Sequence, residues 1–77
     1  MKKCSLVQLK PDNRARVAEI HGGDNLRNRL MSMGIYKGKE LVKLSHIGLR
    51  GPVVVKIGRG ILALGHGVAA KIILEHE

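Results

Sequence analysis

The stretch Leu26-Arg-Asn-Arg-Leu-Met-Ser-Met-Gly-Ile-Tyr-Lys-Gly38 decides the fold. Leu26, Leu30 and Met33 recur at i, i+4 and i+7, the spacing of one helical face. Asp24 precedes them as an N-cap, and its carboxylate also meets the positive end of the helix dipole. Gly34 follows Met33 and can take the left-handed conformation that closes helices. A helix is therefore predicted over 25–33, with Leu30 and Met33 in the core. Ile35-Tyr36-Lys37-Gly38 then turns the chain into an alternating run. Everything else reads as β, so one short helix is inserted into a small β domain.

Working outward, Leu6, Val7 and Leu9 form a short apolar start, and Lys10-Pro11-Asp12-Asn13 has the composition of a turn. Residues 15–20 alternate as a first strand, with Ala15, Val17 and Glu19 on one face. A second strand covers 39–46, where Leu41, Val42 and Leu44 mix with Glu40, Lys43 and Ser45. Residues 47–51 are a loop. A third strand covers 52–57, with Pro52 tolerated at its first position. Gly58-Arg59-Gly60 is a tight hairpin link, 61–64 a fourth strand, 65–70 one helical turn and 71–75 a fifth strand. Five short strands with glycine-rich turns in 77 residues predict a mainly β, closed or half-open small barrel forming one domain over 1–77.

Composition narrows the function. The chain is 44% hydrophobic but has no Phe or Trp, and Tyr36 is its single aromatic residue. Its core must be aliphatic. A net charge of +8 favours anionic partners, or serves to keep a small aliphatic protein in solution. Cys4 is the lone cysteine, so no internal disulfide is expected. No apolar segment follows Lys2-Lys3, so neither a signal peptide nor a membrane span is expected. The expected location is the cytoplasm, at the inner membrane only through a partner.

No catalytic constellation is visible. Ser5, Ser32 and Ser45 lack a nucleophile-elbow context, and the six acidic residues are scattered. Gly58-Arg-Gly60 and Gly65-His-Gly67 continue into neither a phosphate loop nor a dinucleotide fingerprint. An enzyme is not expected, nor a cofactor. Cys4, His21, His46, His66 and His76 show no metal-ligand spacing, so no metal site is expected either. A small basic barrel that binds nucleic acid is the alternative reading. It is disfavoured because such barrels stack bases on aromatic side chains, each worth roughly 1–3 kcal/mol. The same poverty of aromatics excludes a groove for proline-rich peptides. The surfaces that remain are the outer helix face (Arg27, Asn28, Met31, Ser32), the loop with Leu49 and Arg50, and strand edges that could pair with a second copy. Arg27 and Met31 are i, i+4 neighbours, a charge beside a flexible apolar group. Arg27, Met31, Leu49 and Arg50 are the candidate partner-binding residues.

The order of motifs carries a resemblance. Leu6-x-x-Leu9, Ala15-Arg-Val-x-x-Ile20 and Gly22-Gly23 come first. Leu26-x-x-Arg29-Leu30-x-x-Met33-Gly34-Ile35-x-x-Gly38 follows, then Gly51-Pro52-Val53-x-Val55, Ile61-Leu-Ala-Leu64 and Ala69-x-Lys71-Ile72. Over nearly its whole length the chain resembles the ferrous iron transport protein A (FeoA) family. The resemblance implies an SH3-like barrel with an inserted helix. It also implies a small cytoplasmic accessory of FeoB, the membrane Fe(II) transporter with a GTP-binding domain, acting by protein contact. Two positions depart from the family pattern: Asp12 stands where glycine is frequent, and Gly65-His66-Gly67 replaces charged residues. After Pro11, the Asp12 exchange is expected to be harmless. The same domain ends iron-dependent repressors, but those need a helix-turn-helix module, so a stand-alone repressor is not expected.

Overall fold

Just past Ser32 the backbone closes helix α1 (Asp24–Ser32) in a computed structural model that describes residues 1–48 and 50–77. Gly34 N–H donates to Met31 O at 3.0 Å, and Ile35 N–H to Leu30 O at 2.8 Å, with Gly34 at φ 90°. This is a complete Schellman stop. Its hydrophobic clasp is present too, since Leu30 and Ile35 are both fully buried. Two expectations are corrected here. Met33 is 38% exposed, because the helix has already ended at Ser32 and Ile35 takes the core position instead. Asp24 is the first helical residue, not the cap; Gly23 caps with extended backbone and no side-chain bond. Asp24 keeps its favourable place in the first turn.

Six strands form one antiparallel sheet: β1 (Lys2–Ser5), β2 (Arg14–Ile20), β3 (Glu40–His46), β4 (Val53–Ile57), β5 (Gly60–Leu64) and β6 (Ile72–His76). A short helix, α2 (His66–Ala69), precedes β6. The order across the sheet is β1-β6-β2-β3-β4-β5, so β1 and β5 are its edges and the barrel is half-open. Five strands were expected, and β1 is the sixth. Its sequence, Lys-Lys-Cys-Ser, has no apolar alternation. Pairing defines it instead, with Lys2 opposite His76 and Cys4 opposite Leu74. Its two lysines also suit an edge that must not recruit other strands.

The expected face of β2 breaks at Glu19. The register with β6 shifts between Val17 and Glu19, so Ala15, Val17 and Ala18 are buried while Glu19 faces out. Asp12 takes φ 68°, the left-handed conformation that favours glycine and that aspartate tolerates better than most residues. Its N–H donates to Lys43 O at 2.6 Å. Gly58 takes φ 59° between the paired Ile57 and Gly60, as a two-residue hairpin requires.

The core is aliphatic, as composition demanded. Leu6, Leu30, Ile35, Val53, Val55, Ala69, Ile72 and Leu74 all lie at 0% exposure. One charged residue joins them. Lys43, read from sequence among the polar residues mixed into β3, lies two positions from Leu41, shares its inward face and is 1% exposed. Its ammonium donates to Leu6 O at 3.0 Å and Val7 O at 2.9 Å. The bend at 6–9, read from sequence as an apolar start, is thus strapped to the far strand by a lysine.

Gly51 closes the β3–β4 link. A Cβ there would overlap the carbonyl oxygen of Ile47, with that carbonyl carbon 2.9 Å away, while Ile47 N–H holds Pro52 O at 3.0 Å. Gly51→Ala is expected to cost about 1–3 kcal/mol in urea unfolding. A neutral result would show that the link relaxes freely.

Candidate docking groove

Helix α1 packs its Leu30 side inward and leaves a groove of about 420 Å3 against the end of β2. Ala18 and Ile35, both buried, form its floor. Met31, 59% exposed, and Tyr36, 42% exposed, stand on its walls. Arg27, His21 and Lys37 bring cationic or protonatable heads to the rim, with Glu19 the single acid. The local reason is the helix stop. By turning back at Gly34, the chain delivers Ile35 to the floor and Tyr36-Lys37 to the wall.

Arg27 ties the two elements together. Its Nε donates to Ile20 O at 3.4 Å, and its Nη1 lies 3.7 Å from Asp24 Oδ1. Both side chains of that ion pair are largely exposed, so the pair adds little stability and leaves the guanidinium free to serve a partner. Across the groove, His21 Nε2 lies 3.2 Å from Glu19 Oε2. That hydrogen bond holds the Glu19 carboxyl below its ordinary range, with Lys3, His21 and Lys37 adding smaller attractions. The only acid at the groove is therefore already matched, and its surroundings favour an incoming anion.

Of the residues chosen from sequence, Arg27 and Met31 come together on this groove. Arg50 is exposed in the β3–β4 turn and does not line it. Leu49 lies outside the described residues. Ala18, Ile20, Ile35 and Tyr36 complete the groove but were not chosen, because they meet Met31 only once α1 is docked on β2. The backbone turn at Gly34, legible in the sequence, was the one available signal for Tyr36.

A second side-chain meeting lies elsewhere. His46 and His66 have ring centroids 5.9 Å apart and planes inclined by 26°. Among the described residues no group of three or more His, Cys, Asp or Glu side chains converges as a metal site. No helix among them is long and apolar enough to cross a membrane.

The family model of the FeoA domain matches residues 4–76. Among solved structures, an iron uptake regulatory protein (FeoA) is 28% identical with TM-score 0.87, covering 97% of each chain. FeoA of Stenotrophomonas maltophilia, complexed with zinc and described as a procaryotic SH3 domain protein, is 24% identical with TM-score 0.77, covering 94% of this chain and 89% of its own. A manganese-dependent transcriptional repressor is 23% identical with TM-score 0.80, covering 94% of this chain but 40% of its own. The latter two likenesses are of fold. No curated protein matches.

Proposed function

The chain belongs to the FeoA domain family, and from that membership we propose that it is a non-catalytic accessory of ferrous iron uptake, docking on the membrane transporter FeoB. The observation that carries this reading is the groove between α1 and β2. It offers an apolar floor, two exposed amphipathic walls in Met31 and Tyr36, and a cationic rim. Interface cores favour such residues: Met and Tyr supply contact area, and Arg supplies directed hydrogen bonds. A segment with an apolar anchor and flanking carboxylates fits that chemistry. The proposed setting is the cytoplasmic side of the transporter.

Capture of the transporter from solubilised membranes, with this protein as bait, tests the reading. Arg27→Glu and Met31→Glu are each expected to weaken capture about tenfold, about 1.4 kcal/mol. Both side chains are exposed, so the thermal midpoint of each variant should stay near that of the parent. Unchanged capture in both variants would move the interface to another face. RNA or DNA binding that persists at physiological salt would favour the nucleic-acid alternative, since electrostatic binding alone decays steeply with salt.

A further inference from the structure

Two of the four histidines meet at one end of the β3–β4–β5 meander. His46 pairs with Val53, Val53 pairs with Leu64, and His66 follows two residues on, at the start of α2. Each ring buries one nitrogen, Nε2 of His46 and Nδ1 of His66, and neither atom has a hydrogen-bond partner among the described residues. Buried polar atoms are rarely left alone, because each costs about 1–3 kcal/mol of desolvation. Ring stacking accounts for the centroid distance but not for the two orphaned nitrogens.

We propose that His46 and His66 form a two-histidine site for a divalent transition-metal ion of the Zn2+, Co2+, Ni2+ or Fe2+ type. His46 would bind through Nε2 and His66 through Nδ1. Distance supports the pairing. A metal–nitrogen bond of about 2.0–2.1 Å, plus about 1.1 Å from nitrogen to ring centre, puts each centroid ~3.2 Å from a shared ion. Tetrahedral geometry then separates the centroids by about 5.2 Å and a linear arrangement by about 6.4 Å. The observed 5.9 Å falls between these limits, so the rings need to close by less than an ångström or open the angle. The rings are stacked with planes inclined by 26°, so the side chains must turn about their χ angles to bring both nitrogens onto one ion.

The described residues supply no third His, Cys, Asp or Glu to this pair. Water or a ligand from a partner completes the coordination, and the site stays open and exchangeable rather than structural. Two neutral imidazoles follow the usual order of divalent affinities, with Ni2+ and Zn2+ above Co2+ and Co2+ above Fe2+. Neither His46 nor His66 lines the groove between α1 and β2, so the site is separate from the proposed docking surface.

The test uses the tag-free full chain with Zn2+ alone as probe. Nitrogen-detected NMR of the histidine rings is expected to show His46 Nε2 and His66 Nδ1 moving together, saturating at one ion per chain. Calorimetry should show His46→Gln and His66→Gln each weakening Zn2+ binding at least about tenfold, the smallest effect expected from losing a ligand. His21→Gln and His76→Gln should leave binding unchanged. Ring nitrogens of His46 and His66 that stay unmoved in excess Zn2+ overturn the proposal, as does binding that follows His21 or His76. The ring measurement on the parent chain decides the matter even if a variant fails to fold.

Discussion

Leu30→Ala is expected to remove roughly 2–5 kcal/mol of stability, the range for emptying a fully buried leucine site. Small domains carry only about 5–15 kcal/mol in total, and a 77-residue chain sits at the low end, so the variant should be largely unfolded at physiological temperature. Leu30 is at 0% exposure and is clasped to Ile35, also at 0%, across the helix stop. Truncation therefore opens a cavity and loosens the stop together. Urea unfolding followed by circular dichroism checks this, with Met33→Ala as the comparison. Met33 is 38% exposed, so its truncation should cost well under half as much. Equal effects would restore Met33 to the core and refute the placement of the helix end. Near-neutral behaviour of Leu30→Ala would mean that α1 is not docked on the sheet. If α1 detaches while the sheet survives, capture of the transporter should fall even though no groove side chain has changed.

The helix was legible because two local signals agreed. Period 3.6 in Leu26 and Leu30 gave the inward face, and Gly34 gave the stop. What the period could not tell was which residue follows Leu30 into the core. Met33 fits the spacing, but Ile35 wins, because the left-handed turn at Gly34 swings it back over Leu30. The strands from β2 to β6 were legible by alternation and turn residues. Strand β1 was not, because its pairing partner lies at the other end of the chain. Glu19 was misplaced for a related reason. A bulge is set by the register against β6, and a single strand read alone carries no register.

The groove divides in the same way. Arg27 and Met31 were legible as helix neighbours, since i, i+4 geometry is local. Their counterparts on β2 and after the stop depend on docking, which no spacing rule encodes. His46 and His66 show the limit most plainly. They are neighbours through three strands of pairing, and motifs with fixed ligand spacing cannot find such a pair. Lys43 was hidden for the opposite reason. Alternation marked its position as inward, but its charge argued for solvent, and the carbonyls that reconcile the two belong to a bend far away in sequence.

Lys43→Met tests that reconciliation, and two effects compete in it. Removing an ammonium from the interior relieves a desolvation cost, and where both members of a buried pair are replaced by apolar groups the exchange is often neutral or better. Here only the donor is replaced. Leu6 O, buried, and Val7 O, part-buried, remain, and a fully buried carbonyl left without a partner costs about 1–3 kcal/mol. Two orphaned acceptors outweigh the relief, so a net loss of about 2 kcal/mol is expected near neutral pH. The alkaline range provides a second readout. Burial pushes the Lys43 ammonium below its ordinary value of 10.5, with Cys4 as a smaller opposing influence. Folding then favours the neutral amine, and Lys43 contributes stability that grows as pH rises from its lowered value toward 10.5. Burial also pushes the Cys4 thiol above 9.0, an effect that Lys43 partly offsets. Cys4 contributes stability that is lost as pH climbs past 9.0 toward its raised value. In the parent chain the two trends oppose. In Lys43→Met only the Cys4 trend survives, without the lysine that tempered it. Stability measured by urea titration above pH 9.0 should therefore fall more steeply in the variant than in the parent. Parallel curves would show that the lysine is held as it is in water and does not strap the bend at 6–9.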